Sequence, residues 1–153
     1  MSISLTGFLA ILGLTLILVL WSSYWKKRNM ELIREVGGLL EGILKPKDQR
    51  YTWLGGVVGF SAEYRTERFG PVRALFTTLP RQSLIYLPFA LVLGRKDRLE
   101  LLVPIKEKPE VSPSEDIMAA DYDHDKGLFF IKCRVKRNDL SRLESLLRRT
   151  LKI

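Results

Sequence analysis

From Ile3 to Leu20 the chain reads ISLTGFLAILGLTLILVL, and this near-continuous apolar run limits what the rest can be. Its polar members, Ser4, Thr6 and Thr15, can bond back to helical carbonyls. With Trp21 to Trp25 added, the segment has 23 residues. At about 1.5 Å per residue, such a helix crosses a hydrocarbon core of roughly 30 Å. A soluble helix apolar on every face needs complete burial inside a larger protein. A cleaved signal peptide fits poorly. No basic side chain precedes the run, the run exceeds the usual length of about 7 to 15 residues, and cleavage near Ser22 or Ser23 places Leu20 or Trp21 where a small residue belongs. A retained transmembrane anchor over residues 1–25 is expected, followed by one domain over 26–153.

Orientation follows from the first charges. Lys26, Lys27 and Arg28 lie just after the run, and positive charge stays on the cytoplasmic side. Trp21, Tyr24 and Trp25 form an aromatic belt at the same interface. The amino terminus is expected outside or in a lumen, with residues 26–153 in the cytoplasm. Gly7 and Gly13 are six apart and lack the small-xxx-small spacing of paired spans. The whole chain carries 25 Lys/Arg against 17 Asp/Glu, a formal net charge of +8, and Met1 to Trp25 contributes none of these. The domain is therefore basic and favours anionic partners: lipid head groups, RNA or an acidic protein face. The only cysteine, Cys133, rules out an internal disulfide and a multi-thiolate zinc site.

Past the anchor, Arg28 to Leu44 has helical spacing in Leu32, Ile33, Val36, Leu39, Leu40, Ile43 and Leu44, with charges of both signs opposite. That mixture favours a helix packed on a sheet over one lying on lipid. Arg50 to Arg65 reads as one strand, bulged at Gly55-Gly56. Val72 to Leu79 reads as another. Ser83 to Leu93 is too short to span a membrane and is expected to form a hairpin with Arg98 to Ile105. A membrane-facing or partner-facing apolar surface around Leu84 to Phe89 is the alternative. Lys106 to Glu115 reads as a surface loop, and Leu128 to Val135 as a strand. A last helix, Asp139 to Lys152, has Asn138 or Asp139 as cap and a Ser141/Glu144 capping-box spacing. Its apolar face is Leu140, Leu143, Leu146, Leu147 and Leu151. The expected fold is α+β: a transmembrane helix, then an antiparallel sheet of about five strands covered by two amphipathic helices.

Chemistry finds little support. Asp121, Asp123 and Asp125 repeat the one-three-five spacing of a calcium loop, but its sixth and twelfth positions are Lys126 and Lys132 where Gly and Glu are required. A hairpin turn with Gly127 at positive φ is the simpler reading. The glycines at 55, 56 and 59 are not followed by Gly-Lys-Ser/Thr, so no phosphate loop is implied. Cys133 lies inside an apolar strand, and His124 stands alone in a turn. No catalytic constellation, cofactor site or metal site is expected. Basic and aromatic residues interleave between Arg50 and Phe69 without an RNP, KH or cold-shock pattern. Contact with ribosomal RNA through scattered charge stays open, and no specific DNA reader is expected. Arg142, Arg148, Arg149 and Lys152 suit the carboxyl end of a helix dipole and are also the candidate surface for an anionic partner.

The order of elements resembles the calumin family. A single span is followed at once by a helix (NMELIREVGGLLEGIL), then strands, LELLVPI, a last strand and an amphipathic helix (NDLSRLESLLRRTL). The resemblance implies a compact, archaeal-type relative of single-pass endoplasmic-reticulum proteins that join intramembrane chaperones at the ribosome–translocon. It carries no diagnostic motif, so no functional residue transfers. The acidic lumenal region and the long basic coiled-coil tail of that family have no counterpart here, so calcium buffering is not implied and ribosome contact is less supported. The expected function is a non-enzymatic interaction or assembly factor at the cytoplasmic membrane face, with membrane lipids and an integral-membrane protein as partners and contact with the ribosome or translocon. The alternatives are an accessory subunit of a larger membrane complex and a membrane-tethered ligand-binding domain.

Overall fold

The computed structural model describes residues 4–111 and 113–153. Ile3, where the apolar run begins, and Ser112, within the expected 106–115 loop, lie outside them. One helix, α1, runs without interruption from Leu5 to Leu44, 40 residues. The expected anchor and the expected packing helix are thus two parts of one rod. Ser4 caps its start by accepting from the Gly7 N–H, and Lys45 in the left-handed region ends it. Burial changes abruptly along it. Leu5 to Leu20 are exposed apart from the half-buried Gly7, whereas Leu32, Ile33, Val36, Leu40, Ile43 and Leu44 are buried. By length and composition, the first part is long and apolar enough to cross a membrane.

Six strands follow: β1 (Asp48–Trp53), β2 (Gly59–Thr66), β3 (Gly70–Thr77), β4 (Arg98–Pro104), β5 (Ile117–Asp123) and β6 (Leu128–Arg134). Between β3 and β4 lies a short helix, α2 (Tyr86–Val92), and the described chain closes with α3 (Leu140–Leu151). The sheet is antiparallel throughout, in the order β1-β2-β3-β4-β6-β5. Strand alternation sends Phe60, Ala62, Tyr64, Val72, Ala74, Phe76, Leu99, Leu101, Val103, Phe129, Ile131 and Cys133 to one face, all buried. They join the buried residues of α1 and Leu143, Leu147 and Leu151 of α3 in a single core. The other face pairs charges across strands, with Arg50 opposite Glu63, Glu63 opposite Arg73, and Glu100 opposite Lys132.

Four expectations need correction. Arg50 to Arg65 is two strands, because Gly55 (φ 90°) and Gly56 (φ 53°) reverse the chain rather than bulge it. Glycine takes these angles without a Cβ clash. Ser83 to Leu93 does not pair with Arg98 to Ile105. It forms α2, and β4 pairs with β3 and β6 instead. Pro88 falls in the first turn of α2, where its missing N–H has no intrahelical partner to lose. The sixth strand, β5, lies where none was expected. Asp139 caps α3 by accepting from the Arg142 N–H, but the capping box does not close: the Ser141 hydroxyl donates to Asp139 and Glu144 pairs with Arg148. Gly127 has φ 59°, and the Asp123 carboxylate accepts from the N–H groups of Asp125 and Lys126, so the 123–127 stretch is the expected turn.

One-sided burial predicts an asymmetric response to truncation. Phe76→Ala should cost about 3–5 kcal/mol, while Arg73→Ala, three positions earlier on the open face, should cost less than about 1 kcal/mol. Denaturant unfolding of the detergent-solubilised chain, followed by circular dichroism, measures both.

Candidate functional site

The most densely bonded polar cluster sits where α1 passes from exposed to buried. Asn29 begins the buried stripe that continues through Leu32, Ile33 and Val36, and it is itself fully buried. A buried amide needs partners. Its Nδ2 donates to the Leu79 carbonyl at 3.0 Å and to Gln82 Oε1 at 3.2 Å. Arg137, between β6 and α3, donates to the Arg28 carbonyl at 2.7 Å and to Asn29 Oδ1 at 3.4 Å. Burial, then the like charges of Arg28 and Arg81, hold its guanidinium below the usual arginine range.

The segment after β3 is tied at the same level. Arg81 forms a fork with Asp97, at 3.0 Å to Oδ1 and 2.7 Å to Oδ2, and Asp97 Oδ1 also accepts the Leu79 N–H at 2.6 Å. Asp97 is buried, and its main-chain carbonyl accepts from the Val135 N–H. The two ends of the 80–96 segment are thus stapled together beside α1. Trp21 Nε1 donates to the Arg81 carbonyl at 3.1 Å, and the Arg81 guanidinium stands 5.8 Å from the Trp25 ring centre. Trp25 contacts the Trp21 ring at 5.9 Å and the Tyr24 ring at 5.4 Å.

Of the residues singled out at this interface, Trp21, Trp25 and Arg28 are joined to the domain by these contacts. Arg28 also pairs with Glu31 at 3.6 Å. Tyr24, Lys26 and Lys27 are exposed. Asn29, Arg81, Asp97 and Arg137 were not singled out. A polar residue continuing an apolar stripe was the available signal for Asn29. The other three had none.

The four basic residues named on the last helix do not form one patch. Arg142 pairs with Asp116 at 3.1 Å, and Arg148 with Glu144 at 2.9 Å. Asp116 is buried and also meets Lys136 at 2.8 Å. The Lys136 bond chiefly holds its carboxyl below the ordinary carboxylate range. Arg149 and Lys152 close the helix near its carboxyl end. Lys152 lines an open cavity of about 540 Å³ with Arg68, Lys106, Lys108 and Lys126, against one carboxylate, Glu107. This basic pole lies at the end of the sheet away from Asn29, because β2, β4 and α3 all run toward it.

Elsewhere, Cys133 is buried on the core face, where burial pushes its thiol up to about 12. Tyr51 donates to Glu41 at 2.5 Å and meets the Tyr64 hydroxyl at 3.0 Å, clipping β1 and β2 to α1. Burial first, then the bond to Glu41, raises the Tyr51 phenol, and burial carries Tyr64 to about 12. Among the described residues, no three His, Cys, Asp or Glu side chains are grouped to hold a metal ion. The chain matches no protein-family model, no curated protein and no solved structure.

Two outcomes follow from these bonds. Arg81→Met leaves the Asp97 carboxylate buried without its cation. It should cost about 3 kcal/mol and open the 80–96 segment to tryptic cleavage at Arg95 and Lys96, read by mass spectrometry. Asp116, with a lowered folded pKa, stabilises the α3 docking above its unfolded value of about 4, and that contribution is lost as pH falls through the lower folded value. Hydrogen-exchange protection in Leu140–Leu151, taken relative to the intrinsic rate at each pH, should therefore fall below about pH 4, and Asp116→Asn should remove that pH dependence.

Proposed function

We propose that this chain is a membrane-anchored, non-enzymatic interaction or assembly factor. In this reading the first part of α1 spans the bilayer with the amino terminus outside or in a lumen. The α+β domain sits on the cytoplasmic face, its sheet closed on the inner side by the second half of α1 and by α3. One observation carries the reading: a single helix whose apolar segment has no protein cover and whose continuation is buried in the core. An uncovered apolar segment of this length needs another apolar medium, and the bilayer supplies it. The helix does not break between its halves, so the domain is held at a set angle to the anchor.

The basic pole at Arg68, Lys106, Lys108, Lys126 and Lys152 then points away from the membrane and supports a partner with an anionic surface. A large ribonucleoprotein working at the membrane has that chemistry. Membrane-protein biogenesis at the ribosome–translocon, the process suggested by the calumin-like order of elements, is the setting we assign.

Affinity purification of the tagged chain in mild detergent, with quantitative mass spectrometry, tests the partner. Ribosomal proteins and insertion factors should be enriched over an untagged control. Combined Lys106→Glu, Lys108→Glu and Lys126→Glu should abolish that enrichment while leaving thermal stability within about 1 kcal/mol. Enrichment of polytopic subunits alone, unaffected by salt, would instead assign the chain to a larger membrane complex. Protease added outside intact cells should leave the domain uncut.

A further inference from the structure

The stapled 80–96 segment carries more exposed apolar surface than any other described part of the domain. Ile85 is 83% exposed, Val92 88%, Leu93 69% and Phe89 64%. Within α2 only Ala90 is buried, so the segment is not folded back into the core. No charged residue falls between Arg81 and Arg95. An uncovered apolar patch of this kind marks a contact with a partner or a membrane.

Its position decides between those two. The Leu79 carbonyl is held by Asn29 and the Arg81 carbonyl by Trp21, eight residues nearer the amino end of α1. Over two residues the chain climbs toward the apolar part of that helix. Trp21 lies five residues before Lys26, about 7.5 Å along a helix, inside the aromatic belt. The Arg81–Asp97 fork closes the neck of the segment at that level, and the apolar body lies beyond the neck. Arg95 and Lys96, both exposed, follow the body where it returns to the domain, as cations do beside anionic head groups. The β1–β2 turn, with exposed Trp53 and Leu54, lies alongside, since the Thr78 hydroxyl donates to the Val57 carbonyl.

We infer that residues 84–93, centred on α2, form a second membrane contact that enters the leaflet beside the anchor without crossing it. This rests on the anchor reading above. The domain is then held at two points, which prevents rotation about the α1 axis and keeps the basic pole directed away from the bilayer. The occupant is lipid rather than a protein because the segment is bonded to the anchor itself and is flanked by cations at its return.

The test uses the full chain in vesicles of phosphatidylcholine with about one-third phosphatidylglycerol, an anionic surface that favours the flanking cations. Single cysteines replace Ile85, Val92, Leu14 in the anchor, and Glu67 at the distal β2–β3 turn. Cys133 is buried and stays unlabelled. Each introduced cysteine carries an environment-sensitive fluorophore, and lipids spin-labelled near the glycerol backbone or near the chain end supply depth-dependent quenching. Labels at Ile85→Cys and Val92→Cys should be blue-shifted and quenched at least about twofold more than at Glu67→Cys, with the shallow quencher the more effective. Leu14→Cys should respond more to the deep quencher. If Leu14→Cys is quenched while Ile85→Cys and Val92→Cys behave like Glu67→Cys, the second contact is refuted and the anchor stands. If Leu14→Cys is also unquenched, the anchor reading falls and this inference with it.

Discussion

The uninterrupted hydrogen-bond ladder of α1 is the constraint on which the molecule depends. Forty residues at about 1.5 Å each make a rod of about 60 Å. Its two halves meet opposite requirements. The first is apolar on all sides and finds no cover within the described chain. The second is amphipathic, and its buried stripe is part of the domain core. A flexible linker between them would let the domain tumble. A continuous helix transmits the direction of one half to the other, so the sheet, its open face and its two ends each acquire a fixed relation to the apolar segment.

The transition between the halves is where the sequence spends buried polar groups. Asn29 at the head of the apolar stripe costs desolvation and is repaid only because Leu79, Gln82 and Arg137 converge on it. The Arg81–Asp97 fork follows the same logic: a charged pair removed from water is tolerated when its remaining lone pairs are bonded, as the Leu79 N–H does for Asp97. Such groups add little net stability compared with apolar packing, but they specify geometry. Here they fix where the 80–96 segment leaves the sheet and at what height along α1 it does so.

Charge is distributed along the same axis. The open face of the sheet alternates sign across neighbouring strands, so its fields largely cancel: Glu63 faces Arg73, and Glu100 faces Lys132. Lysines also cluster at the distal end, around the cavity lined by Lys106, Lys108, Lys126 and Lys152. A net charge of +8 would say nothing about direction if it were spread evenly. A basic cluster at one end of a rigidly held domain gives the local field there a direction.

What could be read from the chain by itself was whatever depends on local pattern. The apolar run, the stripe from Leu32 to Leu44, the strands at Val72–Leu79, Arg98–Ile105 and Leu128–Val135, and the last helix all follow from side-chain period, because burying one face imposes that period on the residues. Gly127 was legible as a turn because a positive φ selects glycine. Period failed where it was weak. Gly55-Gly56 was compatible with a bulge or a reversal, and only pairing of β1 with β2 decides for reversal. Ser83–Leu93 was apolar enough for a strand or a helix, and Pro88 with the absence of a free neighbouring edge decides for helix. The edge strand β5 has mostly exposed residues and so no apolar alternation to announce it. The cluster around Asn29 was beyond reach altogether: Asn29 bonds to Leu79 across 50 positions and Arg28 to Arg137 across 109. Contacts of that separation leave no spacing to read, because they exist only once the sheet has brought the chain ends of its strands to one side of α1.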